Sequence, residues 1–326
     1  MASRRAQNQF MGLAILFVVV VAVGGMSYFY RRDMARARER VSHGRIAKTS
    51  CGPVEYLEAG AGDAILAIHG AGGGFDQGAE ATAPLAGQGF RVVAMSRFGY
   101  LGTPLPPNAS AEAQADAHAA LMDALHIDRA VVIGASAGAP SAMQLAIRHP
   151  EKVSALVLLV PAAFVPHEDG SPSLKTPHKP NPLFDLILKS DFLFWAASHF
   201  AGKTIARAIL ATPPEDIAEA TTAEQARVIR VRDHLLPISA RRLGLRNDAR
   251  VTSTLEPYPL DRITAPTLAI SVADDLYGTL DAARYTAKHV PHGRLHEMAR
   301  GGHLWVGHNS EVAATIARFA RNPLTD

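Results

Sequence analysis

The sequence predicts an α/β fold: a mostly parallel sheet covered by helices on both faces, interrupted by an inserted helical cap and preceded by one transmembrane helix. Three observations predict it. Short runs that are apolar throughout alternate with helical stretches, the pattern of βα units in a sheet buried on both sides. That rhythm breaks for roughly 95 residues and then resumes. An uncharged apolar stretch of membrane-spanning length lies at the start of the chain.

At 326 residues and 48% apolar composition, the chain is long enough for one large domain or two small ones. The net charge is only +3, and Lys and Arg form no stripe in the body, so no nucleic-acid partner is expected. One cysteine, Cys51, excludes an internal disulfide framework and the multi-cysteine metal patterns.

Phe10–Tyr30 carries no charge and is flanked by Arg4, Arg5, Arg31 and Arg32. About 20 apolar residues match a hydrocarbon core of ~30 Å, and Tyr28, Phe29 and Tyr30 stand where an aromatic belt belongs. A cleaved signal peptide is the alternative. Its apolar region would run only ~7–15 residues and end at a small-residue cleavage site, whereas bulky tyrosines and two arginines follow this stretch. Seven cations from Arg31 to Lys48 against two before the span keep the catalytic body on the cytoplasmic side under the positive-inside rule. The divisions expected are a tail over 1–9, a transmembrane helix over 10–30, a basic juxtamembrane linker or short helix over 31–44, a first core part over 45–164, a cap over 165–260 and a second core part over 261–326.

Strands are expected around Ile46–Ser50 and Val54–Glu58, joined by the turn signal Cys51-Gly52-Pro53. Ala64–Ile68 follows, ending in His69-Gly70-Ala71-Gly72-Gly73-Gly74. Arg91–Met95 is the next strand, and Ser110 begins a helix to about Leu125. Ala130–Ile133 runs into Gly134-Ala135-Ser136-Ala137-Gly138 and a helix to about Arg148; Val153–Val160 is a further strand. Residues 165–260 begin rich in Pro and His, then give helical stretches near Leu183–Phe200, Ile205–Ala211 and Thr222–Leu235 with no convincing strand. Thr267–Val272 restores the strand rhythm, and a last helix runs from Asn309 to Phe319 with Asn309 or Ser310 as cap.

Gly134-x-Ser136-x-Gly138 between an apolar strand and an alanine-rich helix has the form of a nucleophile elbow, which lifts a serine above the sheet. A serine needs a base. Among His289, His292, His296, His303 and His308, only His303 follows a glycine pair and lies beyond the last strand. The acid that orients it belongs just after a strand. Asp274 and Asp275 both follow Thr267–Val272; Asp275 is preferred and Asp274 is the alternative. The oxyanion hole needs backbone N–H groups: Ala137 supplies one, and Ala71, or otherwise Gly72, the other. A phosphate-binding reading of Gly70–Gly74 fails, because no Gly-Lys-Ser/Thr follows.

In the order and spacing of these pieces, together with Arg97-Phe98-Gly99-Tyr100, the chain from about Arg45 onward resembles the α/β-hydrolase superfamily. The resemblance implies an eight-stranded sheet, a helical cap after the sixth strand, and cofactor-free hydrolysis through an acyl-enzyme with no metal. Serine at the elbow separates it from relatives that use aspartate there. Ser96 stands where many relatives have aspartate. The expected activity is that of a membrane-anchored serine hydrolase acting on a carboxylic ester, its substrate a small molecule with an acyl bond. Thioester, lactone, amide (proline iminopeptidase-like) and carbon–carbon cleavage, and cofactor-free haloperoxidase activity, are alternatives on the same fold. An inactive, membrane-bound binding or scaffold protein is the alternative of another class. Phe184, Leu186, Phe192, Leu193, Phe194, Trp195 and Phe200 of the cap are candidates for an apolar acyl pocket.

Overall fold

The computed structural model describes residues 2–166, 173–174 and 186–324, with the backbone alone for 2–9. The chain forms two compact units, one ending at Ser42 and the other beginning at His43. The first is helix α1, Ala2–Val41. From Phe10 its mean hydropathy reaches 2.5 over an 18-residue window, long and apolar enough to cross a membrane. The arginine-rich stretch expected as a linker or short helix instead continues α1 to Val41. Nothing between Met26 and Val41 breaks it: the segment has no Gly or Pro, and Arg, Ala, Met and Glu all favour helix.

In the second unit the strands β1 Arg45–Thr49, β2 Gly52–Ala59, β3 Asp63–Ile68, β4 Phe90–Met95, β5 Ala130–Ala135, β6 Val153–Leu159, β7 Thr267–Val272 and β8 Gly293–Met298 form one sheet. Among the described residues it has eight strands in the order β1-β2-β4-β3-β5-β6-β7-β8. β1 and β2 run antiparallel to their neighbours; from β4 to β8 all pairing is parallel.

Side chains alternate across this sheet. Leu66, Ile68, Val132, Leu156 and Leu158 share one core with α3, Ala111–Ala124, and α4, Ala139–Arg148. Ile65, Ala67, Ile133, Val157 and Leu159 share the other with α2, Phe75–Ala86, and the C-terminal helix, Asn309–Arg321. Burying each such aliphatic side chain contributes roughly 1.5–3 kcal/mol. Ser110 caps α3, its Oγ accepting from Ala113 N at 3.2 Å, whereas His308, not Asn309 or Ser310, is the cap of the last helix.

The segment between β6 and β7 holds the helices α5 Asp191–Phe200, α6 Gly202–Ala208, α7 Pro214–Glu219, α8 Thr222–Asp233 and α9 Arg242–Ser253, and no strand among its described residues. Leu183 and Phe184, expected at the start of a cap helix, lie outside the described residues. Two helices follow β7: α10, Thr279–His289, and the C-terminal helix, now α11.

Candidate active site

The site grows from the end of β5. Gly134 and Gly138 are small because their surroundings leave no room. A Cβ on Gly134 would stand 2.5 Å from Ala142 Cβ, and one on Gly138 would stand 2.6 Å from the carbonyl oxygen of His69. Strand, turn and helix therefore approach closely, and Ser136 between them takes a left-handed φ of +48°. A serine holds that conformation only where its surroundings impose it.

Ser136 Oγ lies 2.9 Å from His303 Nε2. His303 Nδ1 lies 2.8 Å from Asp275 Oδ2. Asp275 is itself fixed: Oδ1 accepts the N–H of Tyr277 at 2.9 Å, and Oδ2 accepts the hydroxyl of Thr279. Its side chain is fully buried. The three side chains come from loops after β5, β7 and β8 and meet at one end of the sheet. Such a chain can move a proton from a serine hydroxyl to an imidazole and hold the resulting imidazolium beside a carboxylate.

Asp274 does different work. Its carboxyl accepts the N–H groups of Gly301 at 3.2 Å and Gly302 at 2.7 Å, bracing the loop that carries His303. Asp216 of α7 shares the Gly301 N–H at 3.3 Å and accepts from Arg300 at 2.5 Å. Burial, then the hydrogen bond with Asp216, raises the pKa of Asp274. Burial also pushes Asp216 upward, but hydrogen bonds from Asp274 and Arg300 hold it below the usual value. Of the two candidate acids, Asp275 meets the histidine.

The loop His69–Gly74 lies against the same turn: a Cβ on Gly70 would stand 3.1 Å from Ser136 Cβ. Gly72 is not placed as the alternative oxyanion donor. Its N–H donates to Tyr100 Oη at 3.1 Å, so it is already committed. The N–H of Ala71 makes no hydrogen bond among the described residues, and Ala137 follows Ser136 in the turn. His69 is buried, with Nδ1 2.7 Å from the Gly70 carbonyl and Nε2 accepting the N–H of Arg97 at 3.0 Å. Burial, reinforced by the nearby Arg97 charge, holds its pKa well below the usual value, so the ring stays neutral and pins the loop.

Two buried ion pairs join this loop region to the cap. Arg97 grips Asp248 of α9 through both terminal nitrogens at 2.7 Å, and its Nε donates to the His69 carbonyl at 2.8 Å. Fully buried Arg241 pairs with Asp76, at 2.8 Å from Nη2. Ser96, at the unusual position, donates to Glu55 Oε2 at 2.9 Å and accepts the N–H of Phe75 at 3.1 Å. Glu55 on β2 thus supplies a carboxylate next to it.

Some contacts were not visible in the sequence. Tyr277 packs edge-on against His303, with ring centroids 4.9 Å apart, and Thr279 anchors the acid. Ala211, at φ +44°, accepts the N–H groups of both His303 and Leu276. An aromatic residue two positions beyond Asp275 was the available signal for Tyr277.

A cavity of about 400 Å³ opens on Ser136 and His303. None of the described cap residues expected to line it does so. Phe194 and Trp195 are buried but line no part of it, while Leu186, Phe192 and Phe200 are 50%, 40% and 73% exposed; Leu193 is absent from its walls and Phe184 lies outside the described residues. Helix α5 lies instead against α6 and residues 238–240. Among the described residues no cluster of three or more His, Cys, Asp or Glu is arranged to hold a metal ion.

Comparison with known proteins agrees with this fold. The family model described as alpha/beta hydrolase fold matches residues 63–306. The chain is similar to a 2-hydroxy-6-oxononadienedioate/2-hydroxy-6-oxononatrienedioate hydrolase of Dechloromonas aromatica, 27% identical over 77% of this chain and 84% of that protein. It is 32% identical to the 2-hydroxy-6-oxo-6-phenylhexa-2,4-dienoate hydrolase of Comamonas testosteroni, over 33% of this chain and only 40% of that relative's length. Among solved structures, an alpha/beta hydrolase fold protein from Nakamurella multipartita is 29% identical with a TM-score of 0.70, covering 85% of this chain and 99% of that one.

Proposed function

The chain belongs to the α/β-hydrolase fold family, and from that premise we propose that it is a membrane-anchored serine hydrolase cleaving a carboxylic ester. The observation that carries the reading is the unbroken hydrogen-bonded chain Ser136–His303–Asp275 at the mouth of a cavity. Ser136 Oγ attacks the carbonyl carbon while His303 Nε2 takes its proton. The oxyanion so formed is held by the N–H groups of Ala71 and Ala137. His303 then gives the proton to the departing alkoxide, leaving an acyl-enzyme and an alcohol. Water attacks the acyl carbon, His303 receives its proton and returns it to Ser136, and the carboxylic acid departs. Asp275 orients the imidazole throughout.

The anchor reading rests on the length and apolarity of α1 from Phe10, and the cytoplasmic placement of the body on the arginines that follow. A second reading, carbon–carbon cleavage of an oxo-dienoate acid, draws on the names of the relatives. Such an acid asks for a cation free to bind its carboxylate. The cations on the cavity wall, Arg227 and Arg230, are already paired with Glu224 at 2.9 Å and Glu80 at 2.6 Å, which favours the ester. The test is turnover of p-nitrophenyl esters beside thioesters, aminoacyl amides and a 2-hydroxy-6-oxo-dienoate. Ester turnover abolished by Ser136→Ala is the expected result; turnover of the dienoate alone overturns the ester assignment.

A further inference from the structure

The cavity at Ser136 does not turn outward beneath the aromatic residues of the cap. It continues from Ser136 past Ala135 to Ile133, down the face of the sheet that α2 and α11 cover. Leu159 of β6, Leu85 of α2, Val231 of α8, and Val312 and Ile316 of α11 complete its walls. Gly78 holds α2 close to the sheet, where an added Cβ would stand 3.2 Å from Ala94 Cβ. Space remains because two small residues, Ala81 on α2 and Ala313 on α11, line it from opposite helices. Its charged wall residues are paired, Arg230 with Glu80 at 2.6 Å and Arg227 with Glu224 at 2.9 Å.

A slot of this kind, mostly apolar in its lining and beginning at the nucleophile, recognises a chain and not a charged head group. Its volume of about 400 Å³ lies within the ~300–1,000 Å³ typical of small-molecule sites. We infer that it holds the acyl chain of the substrate, so that the enzyme's substrates are esters of medium-length, unbranched, uncharged acids. The inference rests on the ester reading above. The carbonyl sits at Ser136, the chain descends beside Ile133 between α2 and α11, and Ala81 and Ala313 set the length accepted.

The test uses the full-length protein in detergent micelles with two ester series. In one, p-nitrophenyl esters lengthen from acetate to octanoate; in the other, acetate esters lengthen on the alcohol side. The expected result is a kcat/KM that rises about fourfold per acyl methylene, the gain from burying one CH₂, and is nearly flat in the alcohol series. Ala81→Phe and Ala313→Phe are expected to lower the octanoate-to-acetate ratio by about tenfold or more. Thermal melting reports whether either variant is folded. Rates of inactivation by methyl and octyl fluorophosphonates supply a second measure of the same slot in the wild type, with the octyl reagent expected to be faster. A flat acyl series, selectivity that follows the alcohol, or an unchanged ratio in both folded variants overturns the slot while leaving the ester reading in place. Failure to hydrolyse any ester overturns both.

Discussion

Asp274 and Asp275 are neighbours in sequence, yet they hold opposite ends of one device. Asp275 Oδ2 meets the His303 ring at 2.8 Å, while Asp274 Oδ1 accepts the backbone N–H of Gly302 at 2.7 Å. One aligns the imidazole and the other braces the peptide that carries it. Asp275→Asn is expected to lower kcat by about 10⁴, because an amide no longer favours the productive tautomer. Asp274→Asn keeps an acceptor for Gly302 and loses far less. Steady-state kinetics of the two variants decide this, and a larger loss from Asp274→Asn reverses the assignment.

The carboxyls of Asp274 and Asp216 also give a pH dependence. Asp274 titrates above its unfolded value of 3.8, so the folded protein binds more protons there. Its contribution to stability is present at low pH and is lost as pH rises through the folded pKa. Asp216 is shifted downward, and its contribution is lost only as pH falls below 3.8. Asp274→Asn resembles the protonated acid. The variant's Tm is expected to exceed that of wild type increasingly as pH rises from about 4 through the folded pKa of Asp274. Melting curves that stay parallel across this range contradict it.

Arg97 and Asp248 join the core to α9 with side chains each only 6% exposed. Arg97→Met leaves Asp248 buried without its partner, at a cost of about 3–5 kcal/mol. Arg97→Lys recovers little, since an ammonium cannot form the two-pronged contact. Urea denaturation of both variants measures this. A loss below about 1 kcal/mol, the value of an exposed pair, contradicts the structural assignment.

Gly302 and Gly307 both have positive φ, +61° and +89°, but only the first is enclosed. A Cβ at Gly302 would stand 2.6 Å from Thr212 Cα, whereas one at Gly307 meets nothing within 4 Å. Gly307→Ala is expected to lose about 1–2 kcal/mol, from backbone conformation alone. Gly302→Ala loses more and also lowers kcat, because the histidine loop must shift. Equal losses of stability with intact activity contradict this.

Much of this was legible in the sequence because periodicity and glycine carry physical information. Ala130–Ile133 reads as a buried strand, and the glycines at 134 and 138 mark an approach close enough for an elbow. The acid and histidine followed from strand order. Other elements were hidden by composition. Helix α2 contains Gly78 and Pro84 in an alanine-rich run, and β8 is an edge strand whose Arg294, His296 and Glu297 mask its pattern. The cap's aromatic residues advertised a pocket, but an apolar side chain carries no label for which neighbour it will meet. The role of Gly72 was equally unreadable, since Tyr100, 28 positions away, takes its N–H.

The central claim is that Ser136 is a nucleophile activated by His303. A fluorophosphonate probe applied to the folded full-length protein tests it most directly. Stoichiometric labelling is expected at Ser136, abolished by Ser136→Ala and strongly slowed by His303→Ala. A folded wild-type protein that takes no label, or labelling that survives Ser136→Ala, contradicts the account.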